Sequence, residues 1–295
     1  HLGLIAEPDN GGEYDTFRGR LIFPIFQNDY RQRPAGFAGR IHPDQAGEKR
    51  AKYRNSRENI VYQKSKILYG LPQNRTAIQQ SGALGGSAYL VEGYTDLLTM
   101  FNNGIENVVA SCGTALTADH CRLLARYAKE VVILRDADDA GRKAAQHDVE
   151  ALTAAGLTAK VLILPSLDGK KGDPDSFLRE YGQSAFLALA EHPTEGIQDG
   201  ILWRVREILG ERPDVNTKAF ALDKVAELLV YLDSFKRSHY VQTFAKAAWF
   251  NCPKSEIEAK VGAMQVKAEK GDIRELTPEQ EFQVRKYDVY VGQTS

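Results

Sequence analysis

Apolar runs of strand length alternate with helical stretches through the middle of this 295-residue chain. Four runs rich in apolar residues are predicted to be strands: residues 88–91, 107–110, 131–134 and 159–164. Three stretches between them are predicted to be helices: residues 95–103, 117–127 and 140–155. Strands that alternate with helices favour a mostly parallel sheet with helices on its faces. The pattern therefore predicts a central α/β domain.

Different patterns flank this domain. Residues 20–25 form a short apolar run, and a polar turn then leads to the glycine-containing segment 36–40, so we predict a β-hairpin. Beyond residue 176, apolar residues recur at three- and four-residue spacing, which predicts helices to about residue 270. The small, flexible stretch 81–87 marks the end of the first part.

Together these patterns predict an α/β protein, α+β overall, with four parts. The parts are a basic α+β amino-terminal subdomain (residues 1–84), a central α/β domain (85–182), a carboxy-terminal helical bundle (183–270) and a tail without a predicted element (271–295). The length is sufficient for two or three packed units, since single cores stop growing at roughly 250 to 300 residues.

Charge is distributed unevenly along the chain. The formal net charge is −1, but residues 18–75 contain thirteen Lys or Arg against four Asp or Glu, so this segment carries +9 and the remainder −10. Aromatic residues are interleaved with these basic residues: Phe37, Tyr53, Tyr62 and Tyr69. Basic groups beside aromatic rings can hold phosphates and stack bases. We interpret this segment as a nucleic-acid-binding surface; the alternative is an ordinary solvated basic face.

Composition argues against several classes of protein. No apolar run approaches the roughly 18 residues typical of a membrane span, and the first thirty residues lack the features of a secretion signal. The three cysteines, Cys112, Cys121 and Cys252, form no C-x-x-C pair and have no histidine at zinc-finger spacing. We therefore expect a cytoplasmic globular protein with no membrane segment, no disulfide framework and no zinc in this chain.

Acidic residues follow three of the predicted strands. In chain order they are Glu92 and Asp96, Asp136 and Asp138, and Asp173 and Asp175. Ligands bind beyond the carboxyl ends of parallel strands, so these side chains should face one crevice if the strands are neighbours. Acids in this number repel one another without a cation, and their oxygen atoms suit Mg²⁺ or Mn²⁺. The pattern predicts metal-dependent phosphoryl transfer.

Each acidic pair alone has a simpler interpretation. Asp138 or Asp139 could cap the helix predicted from residue 140, and the Asp-Pro-Asp segment at 173–175 is typical of a turn. Only the combination of three pairs, each after a strand, favours metal binding.

At these residues the sequence resembles the Toprim domain of DnaG-type bacterial and phage primases. The segments that carry this resemblance are residues 88–96, 111–117, 136–142 and 173–175. Four upstream segments are similar to the basic amino-terminal half of the same primase core: residues 17–25, 36–40, 52–56 and 62–71. The resemblance covers about residues 17–182, and the basic segments distinguish it from other Toprim enzymes.

This resemblance implies a DNA primase core, a DNA-directed RNA polymerase that makes short RNA primers on single-stranded DNA during DNA replication. The implied catalytic residues are Glu92, Asp136 and Asp138. The implied ligands of Mg²⁺ or Mn²⁺, as one ion or more, are Glu92, Asp96, Asp136, Asp138, Asp173 and Asp175. The implied nucleotide- and nucleic-acid-binding residues are Arg40, Lys52, Asn55 and Lys64.

The sequence departs from the family pattern in three ways. Ala137 stands where the family has glycine, and Asp139 stands where it has a basic residue, which adds negative charge beside the implied metals. The family's amino-terminal zinc-binding module is also lacking, so we expect a fragment of a primase. The implied partners are a single-stranded DNA template, ribonucleoside triphosphates, the RNA primer and, through a region outside this chain, a replicative helicase.

Two other functions remain open at this point. One is another Toprim enzyme, either a nuclease or a topoisomerase, although a topoisomerase needs a nucleophilic tyrosine in a separate DNA-gripping domain. The other is a non-catalytic single-stranded-DNA-binding module of a replication or mobile-element protein. A pure binder of phosphates gains nothing from a negatively charged cleft, so the acidic residues disfavour this second alternative.

Overall fold

The computed structural model describes residues 4–6, 11–29, 33–42, 51–83, 85–166 and 172–269. Two small antiparallel sheets begin the chain. The first pairs β1 (Ile5–Ala6) with β2 (Tyr14–Asp15), and the second contains β3 (Arg20–Phe26), β4 (Pro34–Ile41) and β5 (Tyr53–Asn55) in that order. The predicted hairpin is confirmed as β3 and β4.

Close packing of backbone against rings shapes this basic part. A Cβ at Gly39 in β4 would lie 2.7 Å from the Phe17 ring, so the strand passes Phe17 at a distance that only glycine permits. Phe23 and Ile25, two residues apart on β3, are buried in one apolar cluster with Tyr94. A 3₁₀ turn (Lys64–Lys66) and helix α1 (Leu71–Gln80) lead into the next part of the chain.

A five-stranded sheet forms the centre of the molecule. The elements that follow α1 are β6 (Ser87–Val91), α2 (Tyr94–Asn102), β7 (Val108–Ala110), α3 (Ala118–Leu124), β8 (Glu130–Ile133), α4 (Asp139–Ala154), β9 (Thr158–Val161), α5 (Pro174–Ala190) and β10 (Gln198–Asp199). The strand order is β10-β9-β8-β6-β7, and every pairing is parallel except that of β10 with β9. The predicted α/β fold with a mostly parallel sheet is confirmed.

Both faces of the sheet are buried, which explains the continuous apolar runs of its strands. Val131 and Ile133 of β8 point into one apolar cluster, whereas Val132 and the following Leu134 point into the other. The predicted fourth strand ends earlier than expected, at Val161 rather than at residue 164. The short edge strand β10 was not predicted.

The last described part is helical, as predicted. It contains α6 (Gly200–Leu209), α7 (Val215–Leu229), α8 (Ser234–Lys246) and α9 (Lys254–Glu269), which share one apolar cluster. No described helix has the length and apolar character needed to cross a membrane. The domain limits predicted from the sequence stay predictions; residue 84, the limit at 270 and the tail 271–295 lie outside the described residues.

A buried ion pair holds the end of β8. Arg135 donates from Nε to Asp148 Oδ2 at 2.7 Å and from Nη1 to Ser111 Oγ at 2.9 Å. The Arg135 and Asp148 side chains are only 5% and 1% exposed. Ser111 follows β7 and Asp148 lies in α4, so one guanidinium group links three elements next to the first aspartate of the second acidic pair.

The Asp148→Ala variant tests this ion pair. It leaves the Arg135 guanidinium buried without its carboxylate, and we expect the free energy of unfolding to fall by about 3 to 5 kcal/mol. Urea unfolding followed by circular dichroism measures this loss. The double variant Arg135→Met/Asp148→Leu is the control, because apolar replacement of both partners should restore most of the stability. A single-variant loss under about 1 kcal/mol, the size expected of a surface pair, contradicts the interpretation.

Candidate active site

The three strands that precede the acidic pairs are neighbours in the sheet. β6 pairs with β8, and β8 pairs with β9, all in parallel. Their carboxyl ends therefore meet at one edge of the sheet, called here the acidic edge, as the sequence predicted. A backbone hydrogen bond from Ala137 N–H to Gly172 O, 3.1 Å long, joins the loop after β8 to the loop after β9.

Two glycines permit tight backbone packing within these loops. A Cβ at Gly141, in the first turn of α4, would lie 2.1 Å from the Asp136 carbonyl oxygen. A Cβ at Gly172 would lie 2.4 Å from the Leu164 carbonyl oxygen. A side chain at Gly141 would meet the backbone of its own loop after β8, and one at Gly172 would meet the backbone of its own loop after β9, so either substitution would distort the loop that carries it.

Three of the predicted metal ligands also accept hydrogen bonds at helix amino termini. Asp138 accepts a backbone N–H bond of 2.8 Å at the start of α4, and Asp173 accepts one of 2.7 Å at the start of α5. Asp96, in the first turn of α2, accepts the Gly93 N–H at 3.0 Å. The capping interpretation of Asp138 is therefore confirmed. These bonds fix where each carboxylate stands, whether or not it also binds a metal.

The remaining acidic residues have different surroundings. Asp175 accepts hydrogen bonds from the Thr99 hydroxyl and from Arg179 Nε, so it connects α5 to α2. Glu92 and Asp136 are half-buried and lie within three residues of the ends of β6 and β8. The structure thus brings all three acidic loops to one edge but turns the Asp175 carboxylate toward α2.

The pKa of Asp96 reports how strongly these groups interact. The Asp96 side chain is only 9% exposed. Its pKa is raised from 3.8 to about 7, first by burial and then by the negative charges of Asp136, Asp173 and Asp175, while the Gly93 N–H opposes the shift. Carboxylates from all three loops are therefore close enough to repel one another.

The donor set fits a divalent cation that is shared with a substrate. Among the residues that the structure describes, no three His, Cys, Asp or Glu side chains form a group that could hold a metal ion by themselves. Mg²⁺ is commonly held by one or two carboxylates together with substrate phosphates rather than by a cage of protein ligands. All candidate donors are carboxylate oxygens, and the raised pKa of Asp96 marks negative charge that a cation would offset. Ligation by the six predicted residues stays a prediction.

Two of the predicted nucleic-acid-binding residues adjoin the acidic edge. In the register of β4 with β5, Arg40 lies opposite Tyr53, and its guanidinium carbon is 5.6 Å from the centre of that ring. Asn55 Oδ1 accepts a hydrogen bond of 3.3 Å from the Tyr94 hydroxyl. Tyr94 follows Glu92 by two positions, so the basic sheet and the first acidic loop are in direct contact.

The other two belong to the same basic part of the chain. Lys52 is exposed just before β5, and Lys64 is half-buried in the 3₁₀ turn. Tyr69 and Ala110 exchange two backbone hydrogen bonds of 3.0 Å in an antiparallel bridge. Because β7 ends at Ala110, the chain that precedes Tyr69 runs along the carboxyl edge of the sheet, which puts the Lys64 turn on the same side as the acidic loops.

Sequence reasoning missed three residues that organise this site: Tyr94, Arg135 and His120. The Tyr94 ring lies 4.7 to 5.8 Å from the rings of three aromatic residues of the amino-terminal part: Phe23, Tyr53 and Tyr69. Arg135 could have been noticed as a cation at the end of an apolar run, which predicts a buried partner. For His120 the sequence contains no functional signal other than its position in a helix cap.

The chain matches two family models in succession. Residues 1–75 match the DNA primase catalytic core, N-terminal domain, and residues 89–178 match a Toprim-like model. A crystal structure of a DNA primase domain from Pseudomonas aeruginosa is 30% identical, with a TM-score of 0.71 over 88% of this chain and 78% of that one. The chain belongs to the DnaG-type primase catalytic core family.

Further relatives are similar over the same region. A DnaG primase catalytic domain bound to single-stranded DNA is 30% identical, with a TM-score of 0.67 over 82% of this chain and 74% of that one. The DNA primase of Clostridium acetobutylicum is 38% identical over 81% of this chain. The chain spans 37% of the length of that primase and 31% of the length of the Escherichia coli DNA primase. All six acidic residues fall within the Toprim-like match, and the four basic-half residues fall within the primase match.

The Asp96→Asn variant tests the electrostatics of the acidic edge in the absence of metal. Because the pKa of Asp96 is higher in the folded protein, its contribution to stability is fully present below about pH 4 and is lost as the pH rises through about 7. Asparagine keeps an oxygen for the Gly93 N–H but carries no charge. We expect the free energy of unfolding of the variant to rise relative to that of the wild type as the pH rises. Above pH 7 this change should reach up to about 4 kcal/mol, at about 1.4 kcal/mol per pKa unit.

Urea unfolding in EDTA between pH 5 and pH 8 measures this difference. Asp139→Asn removes an exposed carboxylate at the start of α4 and is the matched control, for which we expect no comparable trend. A difference between Asp96→Asn and wild type that stays constant across this pH range contradicts the interpretation.

Proposed function

We propose that this chain is a catalytic core that synthesises short RNA primers from ribonucleoside triphosphates on a single-stranded DNA template. One observation carries this proposal: a basic, aromatic-rich sheet contacts the acidic edge directly, through the hydrogen bond between Asn55 and Tyr94. Carboxylates alone would suit many phosphoryl-transfer enzymes. A template-directed polymerase also needs a surface that holds a nucleic-acid backbone beside them.

The proposed reaction is nucleotidyl transfer. The primer 3′-hydroxyl oxygen attacks the α-phosphorus of the incoming nucleotide, a new O–P bond forms, and the bond to the departing pyrophosphate breaks. Glu92, beside the end of β6, takes the proton of the attacking hydroxyl. Asp136 and Asp138 hold Mg²⁺ or Mn²⁺, with Asp96, Asp173 and Asp175 as further members of the ligand set. When bound, the cation supplies electrostatic stabilisation of the triphosphate charge.

The basic half holds the polymer in this proposal. Arg40, Lys52 and Lys64 carry positive charges for phosphates of the template or the primer. Since Asn55 Oδ1 accepts the Tyr94 hydroxyl, the amide nitrogen of Asn55 can donate to a phosphate or a base edge. The position of Arg40 over the Tyr53 ring stabilises the guanidinium group while leaving N–H groups on its plane for a phosphate.

The similar structures support this choice of substrate. Among them are the DnaG catalytic domain bound to single-stranded DNA and a Mycobacterium tuberculosis primase domain in complex with double-stranded DNA that has a 6-nucleotide overhang. Because the proposed template is DNA, we expect the protein to be located in the cytoplasm. The proposal also includes contact with a replicative helicase, made by a region outside this chain.

A primer-synthesis assay tests the function. The purified chain is incubated with single-stranded DNA, ribonucleoside triphosphates and Mg²⁺ or Mn²⁺, with a zinc-binding module from a related primase supplied in trans. We expect short RNA products, and we expect Asp136→Asn to reduce their rate by about 100-fold or more, the scale of losing a group that stabilises transition-state charge. Asp139→Asn, beside the same loop, should retain most of the activity.

Three other outcomes have distinct meanings. Cleavage or relaxation of DNA without RNA synthesis would indicate another Toprim enzyme. Binding of single-stranded DNA without any chemistry would indicate a binding module. Equal activity of wild type and Asp136→Asn would overturn the assignment of the acidic edge as the catalytic site.

A further inference from the structure

Side chains from two other parts of the molecule bind the backbone of the 3₁₀ turn Lys64–Lys66. Each of its three carbonyl oxygens accepts a hydrogen bond from a distant side chain. In the order of the carbonyls, the donors are His120 Nε2 at 2.8 Å, Thr117 Oγ1 at 2.6 Å and Asn28 Nδ2 at 2.6 Å. A short surface turn does not require three such bonds to form, so these bonds fix where its side chains stand.

The His120 ring uses both of its nitrogens. It is fully buried, and its Nδ1 accepts the Thr117 backbone N–H at 3.3 Å. With Nδ1 as an acceptor, the proton lies on Nε2, which donates to the Lys64 carbonyl. Burial lowers the pKa of His120, which keeps the ring in the neutral form that this pair of bonds requires.

Thr117 is also used twice. Its hydroxyl accepts the His120 backbone N–H at 3.2 Å and donates to the Ser65 carbonyl. The two residues thus cap helix α3 and grip the turn with the same side chains. The helix cap needs only Nδ1 of His120. The bond from Nε2 to the Lys64 carbonyl therefore serves to hold the turn.

The turn carries two lysines on the side of the sheet where the acidic loops lie. Lys66 is exposed and Lys64 is half-buried, and the antiparallel bridge at Tyr69 keeps this segment beside the carboxyl end of β7. Helix α3 follows that same strand end. The bonds from His120 and Thr117 therefore join a positively charged turn of the basic half to the α/β domain that carries the carboxylates.

We propose that His120, together with Thr117 and Asn28, is a positioning residue that holds the Lys64–Lys66 turn so that its lysines bind DNA phosphates at the acidic edge. This inference rests on the proposed function, since it takes DNA as the polymer held there. His120 itself touches neither substrate nor metal in this arrangement.

Two substitutions at His120 separate the turn from the helix cap. His120→Asn retains an acceptor near the Nδ1 position but is too short to reach the Lys64 carbonyl. His120→Gln places an amide nitrogen near the Nε2 position and keeps the donor to the turn. Binding of a fluorescent single-stranded DNA oligonucleotide is measured at several salt concentrations, where wild type and variants are all folded by circular dichroism.

We expect His120→Asn to weaken binding by about threefold to tenfold, as the removal of a phosphate-binding group does. Its salt slope should fall by about 0.7 for each phosphate of the single strand that the protein no longer neutralises. His120→Gln should bind like the wild type. In the Lys64→Ala/Lys66→Ala background, His120→Asn should cause no further weakening, because its effect acts through those lysines.

Several results would overturn the proposal. One is that His120→Asn leaves the salt slope unchanged; another is that its effect adds fully to that of the lysine variants. If the lysine double variant binds DNA like the wild type, the turn is not a phosphate site. Should His120→Asn not fold, Asn28→Ala takes its place, because it removes only the bond to the Lys66 carbonyl. An unchanged salt slope in Asn28→Ala would also overturn the proposal. Failure of the proposed function is distinct, because the wild type would then make no primers.

Discussion

Parallel pairing of β6, β8 and β9 is the constraint on which the rest of this structure depends. It delivers three acidic loops to one edge, where their charges repel and burial makes the repulsion stronger. The fold accommodates this by several means. Gly141 and Gly172 allow the loops to lie against neighbouring backbone, and the Arg135 guanidinium holds the end of β8 from inside the protein. Stability and site geometry are therefore set by the same few contacts.

The basic half is joined to this edge by groups of different chemistry. An aromatic cluster centred on Tyr94 supplies apolar contact, and the Tyr94 hydroxyl adds a polar contact to Asn55. Farther along the edge, the cap of α3 grips the Lys64–Lys66 turn through backbone carbonyls. Among the described residues, both joins are made by aromatic rings, hydroxyls, amides and an imidazole rather than by ion pairs, so we expect both to be insensitive to salt.

Sequence patterns were most informative where burial repeats along the chain. The apolar runs located β6, β7 and β8 because both faces of the sheet exclude water. Strand β10 escaped prediction because Gln198 and Asp199 pair through backbone groups and carry no apolar signal. The order of the acidic loops could be read from the chain, but the orientation of Asp175 could not, since Thr99 lies 76 residues away in sequence. A buried partner for Arg135 could be expected from its apolar surroundings, but only the folded structure shows that this partner is Asp148 of α4.

The helix amino termini beside Asp96, Asp138 and Asp173 imply a further property of the acidic edge. Helices α2, α4 and α5 all begin there, so three amino termini present backbone N–H groups and the positive ends of their dipoles to it. Each terminus is equivalent to about half a positive charge. The edge is thus negative in its side chains and positive in its backbone. Such a surface can bind a cation together with the phosphate groups that the cation neutralises. When both leave, no large charge of either sign remains, because the helix termini offset the carboxylates.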